Sequence, residues 1–260
     1  MAMSRPTVGL LFLLLVSLPA FQPWQCTVAA QPAVRPAASA SVNDDLAALN
    51  AWRAGHRVSE HAVAAYGLAR CFVAEPLSDA VFRRMRGKSY KAGCPVKRTD
   101  LRYLRVLHCD AKGQTRLGEM VCHSGISADL LSIFRQLYEA RYPIASMVLI
   151  DNYDANDERS MAANNSSCFN YRPVAGSRTL SRHSYGLAVD INPLYNPYVV
   201  PRRGRAPRVT PVAGQRYADR SQSFTQKIDH DDLCYRLFRK HGFRWGGDWR
   251  SRKDYQHFEK

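Results

Sequence analysis

The chain has 260 residues, 46% of them hydrophobic and 23% charged, which suits one globular domain with a single core and excludes an array of domains. Its formal charge is +15, which draws a protein toward anionic partners as a class: carboxylate-bearing peptides, lipid headgroups, nucleic acid. That charge is spread along the chain, densest at Arg202, Arg203 and Arg205, so it selects none of these partners.

Residues 1–30 read as a secretion signal. Arg5 supplies the positive start, residues 8–18 a short apolar run, and Val28, Ala29 and Ala30 a small-residue cleavage site before Gln31. The run is too short to span a bilayer comfortably. Gln22, Pro23, Trp24 and Gln25, ahead of Cys26, lack the small aliphatic residues of lipoprotein processing. Export to the periplasm or the exterior is therefore expected, with no membrane span left after cleavage. Arg5 is the one charged residue in 1–30, so the mature charge would be +14.

Six cysteines remain after the leader: Cys71, Cys94, Cys109, Cys122, Cys168 and Cys234. An even number in an exported chain fits three disulfides, with buried free thiols as the alternative. Cys109 and Cys122 flank a predicted turn at 111–114 and form the expected local pair; Cys71 with Cys94 closes another short loop, leaving Cys168 for Cys234. No Cys-x-x-Cys occurs, which argues against a thiolate zinc site.

Residues 31–42, rich in Ala, Pro and Ser, read as a flexible linker. A helical section follows at 43–97. Its helices are expected at 44–52 after Asn43, at 59–69 after Ser59, and at 78–85 with Val81, Phe82 and Met85 as apolar contacts; none carries a catalytic signal. Residues 98–260 hold the chemistry. Strands at 101–108 and 116–122 pair antiparallel. A helix at 127–142, capped by Ser127, shows an apolar stripe of Leu130, Leu131, Phe134, Leu137 and Tyr138. Pro143 stops it, a strand follows at 144–150, and 151–165 is a polar loop suited to line a cleft. The Pro-rich, basic stretch 196–227 reads as a substrate-facing flap or a disordered loop. A helix at 231–239 precedes strands at 243–245 and 255–258, joined through Gly246 and Gly247, with Trp249 placed to wall the cleft.

Two short segments stand out against this background. In 187–191, Leu187, Val189 and Ile191 fall on one face of a strand, Ala188 and Asp190 on the other. The apolar face belongs in a core and holds Asp190 rigidly on the opposite side, while Gly186 lets the chain bend so that His183 and Asp190 converge. Near the C-terminus, Asp254-x-x-His257 pairs a carboxylate with an imidazole. A catalytic zinc takes three ligands from His, Asp or Glu and needs a further carboxylate to take a proton from water. His183, Asp190 and His257 suit the first role and Asp254 the second. The remaining histidines, His56, His61, His108, His123, His230 and His241, have no comparable setting and read as structural or surface groups.

Ser181-x-His183-x-x-Gly186-x-Ala188-x-Asp190, followed by Trp245-Gly246-Gly247-Asp248-Trp249 and Asp254-x-x-His257-Phe258, resembles the D-alanyl-D-alanine carboxypeptidase-like zinc metallopeptidases. These are the VanY-like and L-alanyl-D-glutamate endopeptidase relatives of the LAS superfamily, and the similarity runs from about residue 101 to the C-terminus. The resemblance implies an α+β domain with a central antiparallel sheet and helices packed on it, a Hedgehog/D,D-peptidase-like zinc peptidase fold. It implies one zinc ion per chain and peptidoglycan stem peptides as substrate; the chain is expected to act as a monomer. It also assigns Arg172 the oxyanion of the attacked carbonyl, with Arg178 as competitor, and Ser181 either the substrate carboxylate or the cap of a turn. Asp stands at the base position where some relatives carry Glu, which leaves carboxypeptidase and endopeptidase action both open. Other classes are a zinc-containing wall-binding module without catalysis and, suggested by charge alone, a zinc nuclease; binding to nucleic acid is not expected.

Overall fold

The computed structural model describes residues 42–260. The secretion signal, its cleavage site, Cys26 and all but the last residue of the linker lie outside the described residues. Among those described, no helix is long and apolar enough to cross a membrane.

The chain mixes helices with small antiparallel sheets, an α+β arrangement. Helices α1 (Val42–Ala51) and α2 (Glu60–Tyr66) are followed by strand β1 (Val73–Pro76) and helix α3 (Asp79–Met85). Ser59 and Ser78 cap α2 and α3 by accepting from the backbone N–H groups of Ala62 and Val81. The section expected to be helical thus also contributes a strand, and β1 pairs with β2 (Leu101–Cys109). The Trp52 indole N–H donates to Gly118 O at 3.0 Å, and Leu49, Val63, Met85, Leu104, Leu117 and Leu130 share one hydrophobic cluster.

Strands β2 and β3 (Thr115–His123) form a nine-rung hairpin. Asp110 shapes its turn, accepting from the N–H groups of Lys112 and Gln114 at 2.9 and 3.0 Å. Helix α4 (Ser124–Glu139) leaves β3 with no intervening loop. Its cap is therefore His123, whose Nδ1 accepts from Gly125 N–H, and the expected cap Ser127 lies inside the first turn, donating to Ser124 O. Ile126, Leu130, Ile133, Phe134 and Leu137 form its buried stripe.

In place of the single central sheet expected from the sequence, the described residues form three sheets of three strands, β1-β2-β3, β4-β9-β7 and, with β5 (Tyr198–Arg202) and β6 (Arg205–Thr210), β6-β5-β8. Strands β4 (Ala188–Asp190), β7 (Arg244–Trp245), β8 (Lys253–Asp254) and β9 (His257–Glu259) are only two or three residues long, and the chain turns sharply between them, so no strand is long enough to join the groups. Residues 144–150 form no strand either, making one isolated bridge from Ser146 to Asn165 before Ile150 opens the 3-10 turn Ile150–Tyr153. The remaining helices are α5 (Asp157–Ala162) and α6 (Leu233–Lys240).

All six described cysteines are free thiols, which corrects the expected disulfides. The hairpin register gives the reason for the local pair: Cys109 faces Thr115 beside the turn, whereas Cys122 faces Arg102 at the far end. The two are separated by about 20 Å at the usual rise per strand residue, and a disulfide needs Cα atoms within about 7 Å. Cys71, Cys94 and Cys168 donate instead to the backbone carbonyls of Gly67, Val96 and Gly186, and burial pushes the Cys71 thiol up to about 11.

The polar loop expected to line a cleft supplies internal clamps. Asn165 Oδ1 accepts from Ser146 Oγ and Val148 N–H while its amide donates to Val148 O and Ser160 Oγ. Asn192 joins Ala145 N–H to Pro143 O. The bonds to Val148 N–H, Val148 O, Ala145 N–H and Pro143 O fix backbone that no regular element pairs, which a buried loop requires.

His108 is 2% exposed; its Nδ1 donates to Ile144 O at 2.8 Å and its Nε2 has no partner. Burial holds its pKa down at about 4, below the unfolded value of about 6.5. The unfolded chain therefore binds the extra proton first, and stability present above pH 6.5 is lost as pH falls toward 4, on the order of 3 kcal/mol for this group. Denaturant unfolding of His108→Leu across that interval should show a shallower acid-side decline than the parent chain; an unchanged slope would remove His108 from the acid response.

Candidate metal centre

The expected ligands meet through strand register. Asp190 lies directly opposite His257 in the β4–β9 pair, and Val189 opposite Phe258. Opposed residues on an antiparallel pair share a face, so the carboxylate and the imidazole are set side by side although 67 residues separate them. Val189 and Phe258 point the other way and are fully buried, Phe258 stacking on Phe238 at 4.2 Å between ring centroids. The apolar face of both strands thus anchors the polar one.

His183 arrives from the 3-10 turn Arg182–Tyr185, which Ser181 caps by accepting from His183 N–H. Gly186 ends the turn at φ 66°, and a Cβ there would lie 2.7 Å from the backbone nitrogen of His123. Only glycine fits a left-handed residue pressed against β3, and this contact seats the turn. His183 Nε2 lies 3.3 Å from Asp190 Oδ2 and 3.2 Å from His257 Nδ1. His257 Nδ1 lies 3.1 Å from Asp190 Oδ1. One donor atom from each residue falls within 4.8 Å of the others, and all three residues are buried.

The far nitrogens explain which atoms face inward. His183 Nδ1 is held by Cys168 O at 2.6 Å and His257 Nε2 by the Glu259 carboxylate at 3.3 Å. Each acceptor fixes the proton on the outer nitrogen and leaves the inner lone pair for a metal. Glu259 and the Cys168 carbonyl were not anticipated. Glu259 was legible, because residues i and i+2 of a strand share a face and His257 with Glu259 form such a pair in β9. Cys168 acts through its backbone, which side-chain chemistry does not betray.

Electrostatics agree with a cation between these groups. Burial opposes charge on Asp190, but the two imidazoles outweigh it and hold the carboxyl well below its usual range. Burial likewise disfavours protonated His257, yet hydrogen bonds to Asp190 and Glu259 push it up to about 10. Two imidazole nitrogens, each braced from outside, and a carboxylate are a donor set that suits zinc.

Asp254 lies on β8, three residues before His257. Its Oδ1 is buried with no hydrogen-bond partner, and burial pushes the carboxyl up to about 6, with Asp190 raising it further against the pull of His257. A Cβ on Gly246 would meet Asp254 O at 2.6 Å, so glycine permits β8 to approach the 3-10 turn Gly246–Asp248. The Trp249 ring stands 5.4 Å from His257, beside the centre.

Arg172 is tied to the ligand-bearing turn through its backbone, its N–H donating to Ser184 Oγ and its carbonyl accepting from Ser184 Oγ and Ser181 N–H. Its guanidinium pairs with Asp157. Arg178 is exposed in the following turn. Of the other histidines, His108 is a core group, His123 caps α4, and His230 and His241 pair with Asp248 and Asp129.

The stretch 196–227, expected to be a flap or a disordered loop, begins with strands β5 (Tyr198–Arg202) and β6 (Arg205–Thr210) and continues through the 3-10 turn Val212–Tyr217 into irregular backbone, and β5 pairs with β8, setting Tyr198 opposite Asp254.

Removing the brace on His257 should weaken metal binding by about 10–100-fold. Competition against a chromophoric chelator measures this for Glu259→Ala; affinity equal to the parent's would show that Glu259 does not orient the ligand.

Residues 175–260 match the model of the D-alanyl-D-alanine carboxypeptidase family, a span that holds all the clustered donors and Asp254 but begins well after residue 101. No curated protein matches the chain. No solved structure matches it either.

Proposed function

Taking residues 175–260 as a member segment of the D-alanyl-D-alanine carboxypeptidase family of peptidases, we propose that the chain is an exported zinc peptidase that hydrolyses peptide bonds in bacterial peptidoglycan stem peptides. The observation that carries this reading is the buried trio of donor atoms within 4.8 Å of one another, flanked by a carboxylate whose Oδ1 has no partner.

In this reading His183, Asp190 and His257 hold one zinc ion. Zinc, when bound, supplies a Lewis acid for the scissile carbonyl and makes water more acidic. Asp254 then accepts a proton from the water that attacks the carbonyl carbon and returns it to the leaving amine. Its raised proton affinity suits that exchange, because the same carboxyl must both take and give the proton near neutral pH. Arg172, oriented by Asp157, offers a fixed cation to the developing oxyanion, an effect of roughly 3–4 kcal/mol for one donor. Ser181 serves the site by capping the turn that carries His183, and the fold is of the Hedgehog/D,D-peptidase kind. Residues 1–30 are the export signal, 31–42 a linker, 43–97 a supporting section and 98–260 the catalytic domain, acting as a monomer.

Mass spectrometry of purified muropeptides incubated with the protein tests the reading and names the bond. Loss of a terminal D-alanine marks carboxypeptidase action, and separation of L-alanine from D-glutamate marks endopeptidase action. A chelator should abolish either product and added zinc restore it. Asp254→Ala should keep its zinc and lose at least about 100-fold in rate. Intact muropeptides with the zinc-loaded parent chain would overturn the proposal, and wall binding that survives in Asp254→Ala without any hydrolysis by the parent would favour a binding module.

A further inference from the structure

The hairpin of β5 and β6 shares a sheet with the strand that carries Asp254. Tyr198 is opposite Asp254 on β8, and along the hairpin Val200 is opposite Arg208 and Arg202 opposite Arg205, with a bulge between the last two pairs. Opposed residues share a face, and Tyr198 and Val200 alternate onto the same one. One face of this sheet therefore carries Asp254 at one side and Arg208 two positions along the hairpin, while beyond the bulge Arg202 and Arg205 face each other at the hairpin tip. The other face includes Val209, which is buried against the body. The three arginines are exposed.

Arg202 directly facing Arg205 is a destabilising arrangement of like charges. Lys227 nearby in sequence pairs with Asp229, but among the described residues no ion pair involves Arg202, Arg205 or Arg208. Solvent tempers this repulsion, and an anion bound between the arginines would relieve it further. Four strand residues separate Tyr198 from Arg202, about 13 Å at the usual rise, a distance an extended peptide spans in four residues.

We infer that Arg202, Arg205 and Arg208 form a subsite that selects acidic peptides, gripping substrate carboxylates about two to four residues from the bond cleaved beside Asp254. The inference rests on the peptidase reading for its cleavage step. The continuity of the face with Asp254 favours the substrate itself over a separate anionic polymer, which would need no alignment with the centre.

The test uses the zinc-loaded chain and a fluorescein-labelled acidic pentapeptide ending in D-Ala-D-Ala, beside the same peptide with its side carboxylates amidated. Anisotropy gives binding and product analysis gives kcat and KM, for the parent and for the triple variant Arg202→Gln, Arg205→Gln, Arg208→Gln. The parent should bind the acidic peptide at least about tenfold more tightly than the amidated one, and the preference should fade between 0.05 and 0.5 M salt as screening shortens to a few ångströms. The triple variant should lose the preference through KM, keep kcat within about twofold, and unfold at a temperature no lower than the parent's, since a repulsion has been removed. Equal binding of both peptides by the parent, or a preference retained in the triple variant, overturns the subsite. So does a variant that loses binding only to inorganic polyphosphate, which would mark a general polyanion surface. A selective, arginine-dependent affinity without cleavage by the parent would uphold the subsite and sink the peptidase reading instead.

Discussion

The register of β4 against β9 is the constraint on which the site depends. Placing Asp190 opposite His257 puts two donors on one face, and placing Val189 opposite Phe258 buries the reverse face. A slip of one residue would exchange these faces, burying polar groups in the core and exposing Phe258. The hydrophobic contact of Phe258 with Phe238 therefore maintains the polar geometry as firmly as any bond between the ligands themselves.

Around this pair, the fold works by pressing short segments together. Gly186 seats the His183 turn against β3, and Gly246 lets the Asp254 backbone approach the 3-10 turn. The larger hairpin β2–β3 and helix α4 supply the wall behind them. Asn165, Asn192 and Asn196 replace the backbone pairing that three divided sheets do not provide, Asn196 accepting from Ile228 N–H and donating to Gln226 O. Polar side chains are thus spent inside the protein, holding irregular backbone near the site in place of longer strands.

The electrostatic picture follows from burial. Buried together, carboxylate and imidazoles stabilise one another's charge, so the Asp190 carboxyl is held well below its usual range and the His257 imidazole is pushed up, whereas burial pushes the Asp254 carboxyl up. Two neighbouring aspartates thus differ in proton affinity through their surroundings alone. The basic hairpin extends the same logic outward, where solvent rather than burial tempers the repulsion between arginines.

By itself the sequence determined which residues cluster, because ligand chemistry and strand alternation are local properties: His183, Asp190 and His257 could be named from their spacing, and so could Leu130, Phe134 and Leu137 on the buried face of α4. Glu259 was within reach by the same alternation. Only the tertiary structure decided that one expected sheet is three, that Cys109 and Cys122 sit at opposite ends of a hairpin, that Ser127 lies inside its helix, and that the basic stretch is a hairpin sharing a face with Asp254. Those outcomes turn on register, on strand length and on close backbone approach. Each is fixed by contacts between residues far apart in the chain, which no local pattern records.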